Sequence, residues 1–458
     1  MRRDFRRFMR GASAGESGVG EKAGGVMDMR HKTFDKNYLL QISETLKADW
    51  LAASELEPDF LECYTAEEQE SREEQIRSVM EKANKGLGEY PQSFFAVRKR
   101  KRWKIRMEKM LGEVLREEKA LGIGGVMGEE ELWEFQACLK EFLRKVRKFD
   151  RNLALEDMGQ AVRNYMVYAI FLALNGKELK YRPAAFGYSM LYPYTDNYID
   201  SPQRTEREKE HYNRLIEDKL QGKRVKPLSR HEKKTEELLG QIEKDYGRPH
   251  EVYEGLLLML EAQEISLRQE ERWKRDRKAC REEDVLGVSA YKGGVSVLMD
   301  RYFIDRPLTE KDSYFYYGFG FLLQLCDDLQ DISQDKEEGN PTVFSLCGTD
   351  KEVRGKVNKL LHFAAKIFES CDTENREFKR FLQKNCYLLI LASAAGSGEW
   401  MEEEWLSRMQ GYLPVRMDYL RKYSNGILGS SKGDGAEKGR NERERRKLMK
   451  MLDVLIAD

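Results

Sequence analysis

The chain of 458 residues is short of several things, and each shortage removes a class of protein. None of its seven cysteines forms a C-x-x-C pair, and an odd, scattered set does not close a disulfide framework, which fits a reducing cytoplasm. It has no net charge, because 80 basic residues offset 80 acidic ones, so no global field recruits nucleic acid. It has no apolar run of spanning length: the uncharged runs 313–326 and 385–398 have 14 residues each, short of the ~18 to 20 that a bilayer requires. Only ten prolines and few alternating β-branched stretches leave little room for a large sheet. The opening "MRRDFRRFMRGASAGESGVGEKAGG" is basic but lacks an apolar h-region, so residues 1–33 read as a disordered extension rather than a secretory leader.

What is present is charge and helical periodicity. With 35% charged and 40% hydrophobic residues, the expectation is an all-α protein of amphipathic helices. Residues 34–150 form a charged helical N-terminal region, as in "ELWEFQACLKEFLRKVRKF", where apolar residues recur at three and four. Within it, "VRKRKRWKIRMEK" (97–109) gathers positive charge around Trp103, as a solvated helix face or as a peripheral contact with an anionic membrane. Residues 151–425 carry aromatic-rich uncharged runs, which would be helices surrounding a core or cavity, interrupted by a charged stretch at 203–248. Residues 426–458 read as a flexible linker and a terminal helix, "KLMKMLDVLIAD".

Two of the uncharged runs end in acids. In "GFLLQLCDDLQDISQDKEEGNPTVFSL" (320–346), Asp327, Asp331 and Asp335 fall at about 0°, 40° and 80° around a helix, with Gln324 beside them and Leu322, Leu325, Leu329 and Ile332 opposite. In "RPAAFGYSMLYPYTDNYIDSP", Asp196 and Asp200 follow an uncharged run at the same spacing. Such stripes are also what an ordinary amphipathic helix turns toward water. Carboxylates on adjacent turns repel, however, unless a cation lies between them, and hard oxygen ligands suit Mg²⁺, which keeps waters and binds one or two carboxylates plus phosphate oxygens. Two acidic patches facing each other across an apolar pocket would grip a diphosphate whose hydrocarbon tail lies below. "SAYKGGVSVLMDRYF" offers Lys292 followed by Gly293 and Gly294, read as a helix break that aims backbone N–H groups at phosphate. "LLLMLEAQEISLRQ" places Gln263 and Arg268 on a largely apolar helix.

Taken together, these residues resemble the class I isoprenoid synthases, the superfamily of trans-polyprenyl diphosphate synthases, squalene-type synthases and class I terpene cyclases. The likeness covers roughly residues 180–346. "YYGFGFLLQLCDDLQDISQDKEEGNPTVFS" is similar to the family's second Asp-rich segment, with Asp327, Asp328 and Asp331 in its D-D-x-x-D element. Asp327, Asp331 and Asp335 also have the spacing of the cyclases' metal triad. "DNYID" resembles the first Asp-rich motif, with Asn197 in its second place.

The resemblance implies a helical bundle around a central apolar cavity, with an extra helical N-terminal region. Asp196, Asp200, Asp327 and Asp331 would be catalytic, binding Mg²⁺ together with Asp328 and Asp335, at about three ions per site. Lys292, Arg204, Arg268 and Lys336 would meet the diphosphate, and Gln263, Gln324, Tyr192, Tyr194, Phe315 and Phe319 would line the substrate pocket. "DSPQRTEREKE" supplies only Arg204 where an elongating enzyme carries R-R-G, and "NGKELKYRP" ends close to Asp196, which favours a cyclase over chain elongation or head-to-head condensation. The expectation from another class is a catalytically silent helical protein that binds a lipid or a partner. A homodimer is compatible with the sequence.

Overall fold

In a computed structural model, residues 32–457 are described, apart from 94, 119–120, 200, 202, 278–280, 305–307 and 421–447. The described residues are helical throughout, without a strand, and those from Lys32 onward belong to one compact unit. None of their helices is long and apolar enough to cross a membrane, and their six cysteines are free. Asp200, half of the first acidic pair, lies outside the described residues.

Several helices begin where short polar side chains satisfy their first N–H groups. Asp35 accepts from Tyr38 at the start of α1 (Lys36–Ala52), and capping boxes at Thr65, Thr205 and Thr309 open α2 (Ala66–Gly88), α7 (Glu206–Leu220) and α11 (Glu310–Gln330). The others are α3 (Val97–Glu117), α4 (Glu129–Phe149), α5 (Leu155–Leu174), α6 (Pro183–Ile199), α8 (Arg230–Asp245), α9 (Val252–Arg275), α10 (Glu282–Tyr302), α12 (Ile332–Glu338), α13 (Asp350–Ser370), α14 (Arg376–Gly396), α15 (Glu403–Met409) and a last helix, α16, over 448–456.

Helices α10 and α11 form the axis of the bundle, and α1, α5, α9, α13 and α14 pack around them. Gly293 and Gly294 are where these two helices cross, and α10 runs through them without a break. A Cβ on Gly293 would stand 2.3 Å from the Gly320 carbonyl oxygen, one on Gly320 would stand 2.0 Å from the Gly293 oxygen, and Gly294 abuts the Tyr317 ring. The expected helix break is therefore corrected: the glycines let two backbones touch, and the N–H groups there stay in the helix.

The N-terminal helices are not one separate layer. Helix α1 packs on α10, α11 and α13, with Trp50 edge-on to Phe363 at 5.7 Å. Helix α4 joins the same core through Phe142, stacked on Tyr165 at 4.0 Å. In α3, Trp103 does not face solvent: it is 1% exposed, donates to the Gly86 carbonyl at 2.7 Å, and shares a small core with Met107 and Met451 of α16. Trp103 thus ties α3 to α2 and α16.

Candidate functional site

An apolar cavity of ≈ 290 Å³ lies among α5 to α11. Helix α6 contributes Tyr188, Leu191, Tyr192 and Asp196. Helix α9 adds Leu256, Met259, Leu260 and Gln263, α10 adds Lys292, Ser296 and Asp300, and α11 adds Leu323, Gln324 and Asp327. Both acids that end an uncharged run, Asp196 and Asp327, thus line one cavity. A wider mouth of ≈ 730 Å³ adjoins it and shares Ile199, Lys292, Gln324 and Asp327 with it.

The mouth is acidic. Asp327, Asp331 and Asp335 present their stripe to it even though α11 ends at Gln330 and α12 starts at Ile332. The stripe survives because Asp331 N–H still donates to the Asp327 carbonyl at 3.0 Å and Asp335 N–H to the Asp331 carbonyl at 2.8 Å. Gly339, at φ 73°, then ends α12 in the left-handed conformation that suits glycine. Asp328 stands one step round the helix and is buried, accepting from Gln324 Nε2 at 2.9 Å and from Ser289 Oγ at 3.2 Å.

All four carboxyls are held above the usual aspartate range, first by desolvation. Asp328 is pushed to about 7 and Asp335 to about 6. Asp331 and Asp335 are raised further by neighbouring carboxylates, whereas Lys292 and Arg163 partly offset the rise at Asp327. Asp327 is open to solvent yet surrounded by protein atoms, as expected of a group inside a concave mouth.

Across the mouth stand residues that the sequence reasoning missed: Glu206, Lys209, Glu210 and Asn213 of α7, and Glu270, Glu271 and Lys274 of α9. Tyr188, Ser296 and Asp300 in the cavity were also missed. The signal for the last two was available, since Lys292, Ser296 and Asp300 repeat the four-residue spacing of the aspartate stripe. Tyr188 Oη donates to the Ser296 carbonyl at 2.9 Å, and Tyr192 Oη is hydrogen-bonded to Ser296 Oγ.

Several expected site residues lie elsewhere. Tyr194 turns to the other face of α6 and donates to Asp150 at 2.7 Å, stacked on His231. It lines a separate depression with Asn197 and Arg204, where Arg204 pairs with Glu208 at 3.3 Å and lies over the Tyr198 ring. Arg268 points outward and pairs with Glu264, four residues back, at 2.8 Å. Lys336 donates to the Cys347 carbonyl at 2.5 Å and covers Trp400, on the outer side of α12. Phe315 and Phe319 are buried against Phe368. Sequence proximity to an acidic motif does not fix where a side chain points: Tyr194, Arg268, Lys336, Phe315 and Phe319 lie on other helix faces, and Arg204 lies in the bend before α7.

The donor set suits a hard cation, being all oxygen and crowded with like charge. Among the described residues, no three His, Cys, Asp or Glu side chains converge tightly enough to hold an ion by themselves. No family model matches this chain, and no curated protein or solved structure is significantly similar to it.

Proposed function

We propose that the protein is a Mg²⁺-dependent enzyme that ionises a prenyl diphosphate and releases a cyclised or eliminated terpene product. One observation carries this reading: an apolar cavity and an acidic mouth meet at Lys292, Gln324 and Asp327. A ligand seated there has its tail among Leu256, Met259 and Leu260 and its head among carboxylates and lysines. Asp327, Asp331 and Asp335 are the residues to hold Mg²⁺, which when bound would neutralise the departing diphosphate.

The chain's own part is positioning. Lys292, with Lys209 and Lys274, supplies positive charge at the mouth, and the apolar walls keep water from a cationic intermediate. Tyr188 and Tyr192 give the cavity aromatic surface for cation–π attraction. Cyclisation is favoured over elongation because Arg204 and Arg268, the two arginines expected at a diphosphate, pair with Glu208 and Glu264 instead.

A silent, lipid-binding helical protein is the second reading, favoured by the small number of cations at the mouth. Incubation of the purified protein with C10 to C25 prenyl diphosphates and Mg²⁺, with and without isopentenyl diphosphate, separates the readings. Hydrocarbons or alcohols mark cyclase chemistry, longer diphosphates mark elongation, and unchanged substrate under every condition supports the silent protein.

A further inference from the structure

The end of the cavity remote from the mouth contains an acid that the ionisation chemistry does not use. Asp300 lies on α10 eight residues beyond Lys292, ~12 Å along the axis at ~1.5 Å per residue. It is 3% exposed, lines the cavity, and its Oδ1 has no hydrogen-bond partner. Its neighbours do not supply one, because the Tyr188 and Tyr192 hydroxyls are engaged with each other at 3.0 Å and with Ser296. Burial holds the carboxyl well above the usual aspartate range, which favours its protonated form, a group with an O–H to donate and oxygen to accept.

An unsatisfied buried carboxyl lowers stability, and an apolar residue in its place would pack without that penalty. Its presence among Leu256, Met259 and Val297 is understandable if a ligand completes it. We propose that this inner end is a hydrogen-bonding subsite, centred on Asp300, for a hydroxyl group at the far end of an elongated apolar ligand. The substrate class is then a prenyl chain oxygenated at the end opposite its diphosphate; that naming rests on the proposed function, whereas the subsite itself does not.

The test uses probes without diphosphate, a ten-carbon prenyl alcohol and its counterpart bearing a second, terminal hydroxyl, titrated calorimetrically into the full chain. The wild type should bind the diol at least tenfold more tightly than the mono-alcohol. Asp300→Asn, which keeps a donor and an acceptor, should retain a severalfold preference. Asp300→Leu should lose the preference and bind the mono-alcohol at least as well as the wild type does. Equal binding of the two probes by the wild type, no binding of the diol, or a preference that survives Asp300→Leu would each overturn the subsite. If Asp300→Leu does not fold, the wild-type pair and Asp300→Asn still decide. A preserved diol preference in a protein that turns over no prenyl diphosphate would sink the proposed reaction and leave the subsite standing; turnover without the preference would do the reverse.

Discussion

Lys292 is the residue at which a functional and a decorative role part most cleanly, because it lines both the cavity and the mouth. Lys292→Met keeps most of the apolar stem and deletes the charge, so turnover should fall about a hundredfold, on the order of 3 kcal/mol in the barrier. Steady-state kinetics check this, and activity within twofold of wild type would remove Lys292 from the site. The acids give a second prediction. Asp328 and Asp335 have folded-state values of about 7 and about 6 against an unfolded 3.8, so the folded state holds protons that the unfolded state gives up. Their penalty is absent below about pH 4 and grows as pH rises through the folded values. In metal-free buffer the melting temperature should therefore decline between about pH 4 and pH 7, and Asp328→Asn should flatten the decline. The aspartate stripe was legible in the sequence because helical spacing alone puts positions four apart on one face. The residues across from it on α7 and α9 were not, since only tertiary packing brings them there.

The crossing of α10 and α11 is the element on which the site depends, for it sets Lys292 beside Gln324 and Asp327. Gly293→Ala would drive a methyl group to 2.3 Å from the Gly320 carbonyl, which a rigid backbone can relieve only by moving the helices apart. The expected loss is ~1 to 3 kcal/mol of stability, with activity reduced further because the mouth is displaced. Denaturant unfolding and kinetics on this variant measure both, and a fully stable, active Gly293→Ala would show that the crossing is slack. The sequence pattern was misleading here: two glycines after a lysine suggest a break, yet glycine also serves close helix packing, and which use applies is decided by Gly320 and Tyr317 on another helix. The same holds for Trp103, whose basic neighbours suggested a surface role while Gly86 and Met451 bury it. The all-α class was readable because apolar periodicity is a local signal.

At the scale of the molecule, a neutral chain builds an all-helical bundle whose apolar cavity ends in a concentrated patch of carboxylates. Burial and mutual repulsion make that patch unfavourable by itself, and under the proposed function cations and a polyanion sharing it would relieve the repulsion. Mg²⁺ alone should raise the melting temperature little, whereas Mg²⁺ with inorganic diphosphate should raise it clearly, because the anion completes the coordination shell. Equal shifts with and without diphosphate would count against the arrangement. Diphosphate release from a panel of C10 to C25 prenyl diphosphates in Mg²⁺, measured for the wild type and for Asp327→Ala, decides whether the cavity and its acidic mouth form an ionisation site. The wild type should release diphosphate from at least one chain length, dependent on Mg²⁺, and a folded Asp327→Ala protein should not. No release by the wild type with any substrate, or undiminished release by Asp327→Ala, would contradict that assignment.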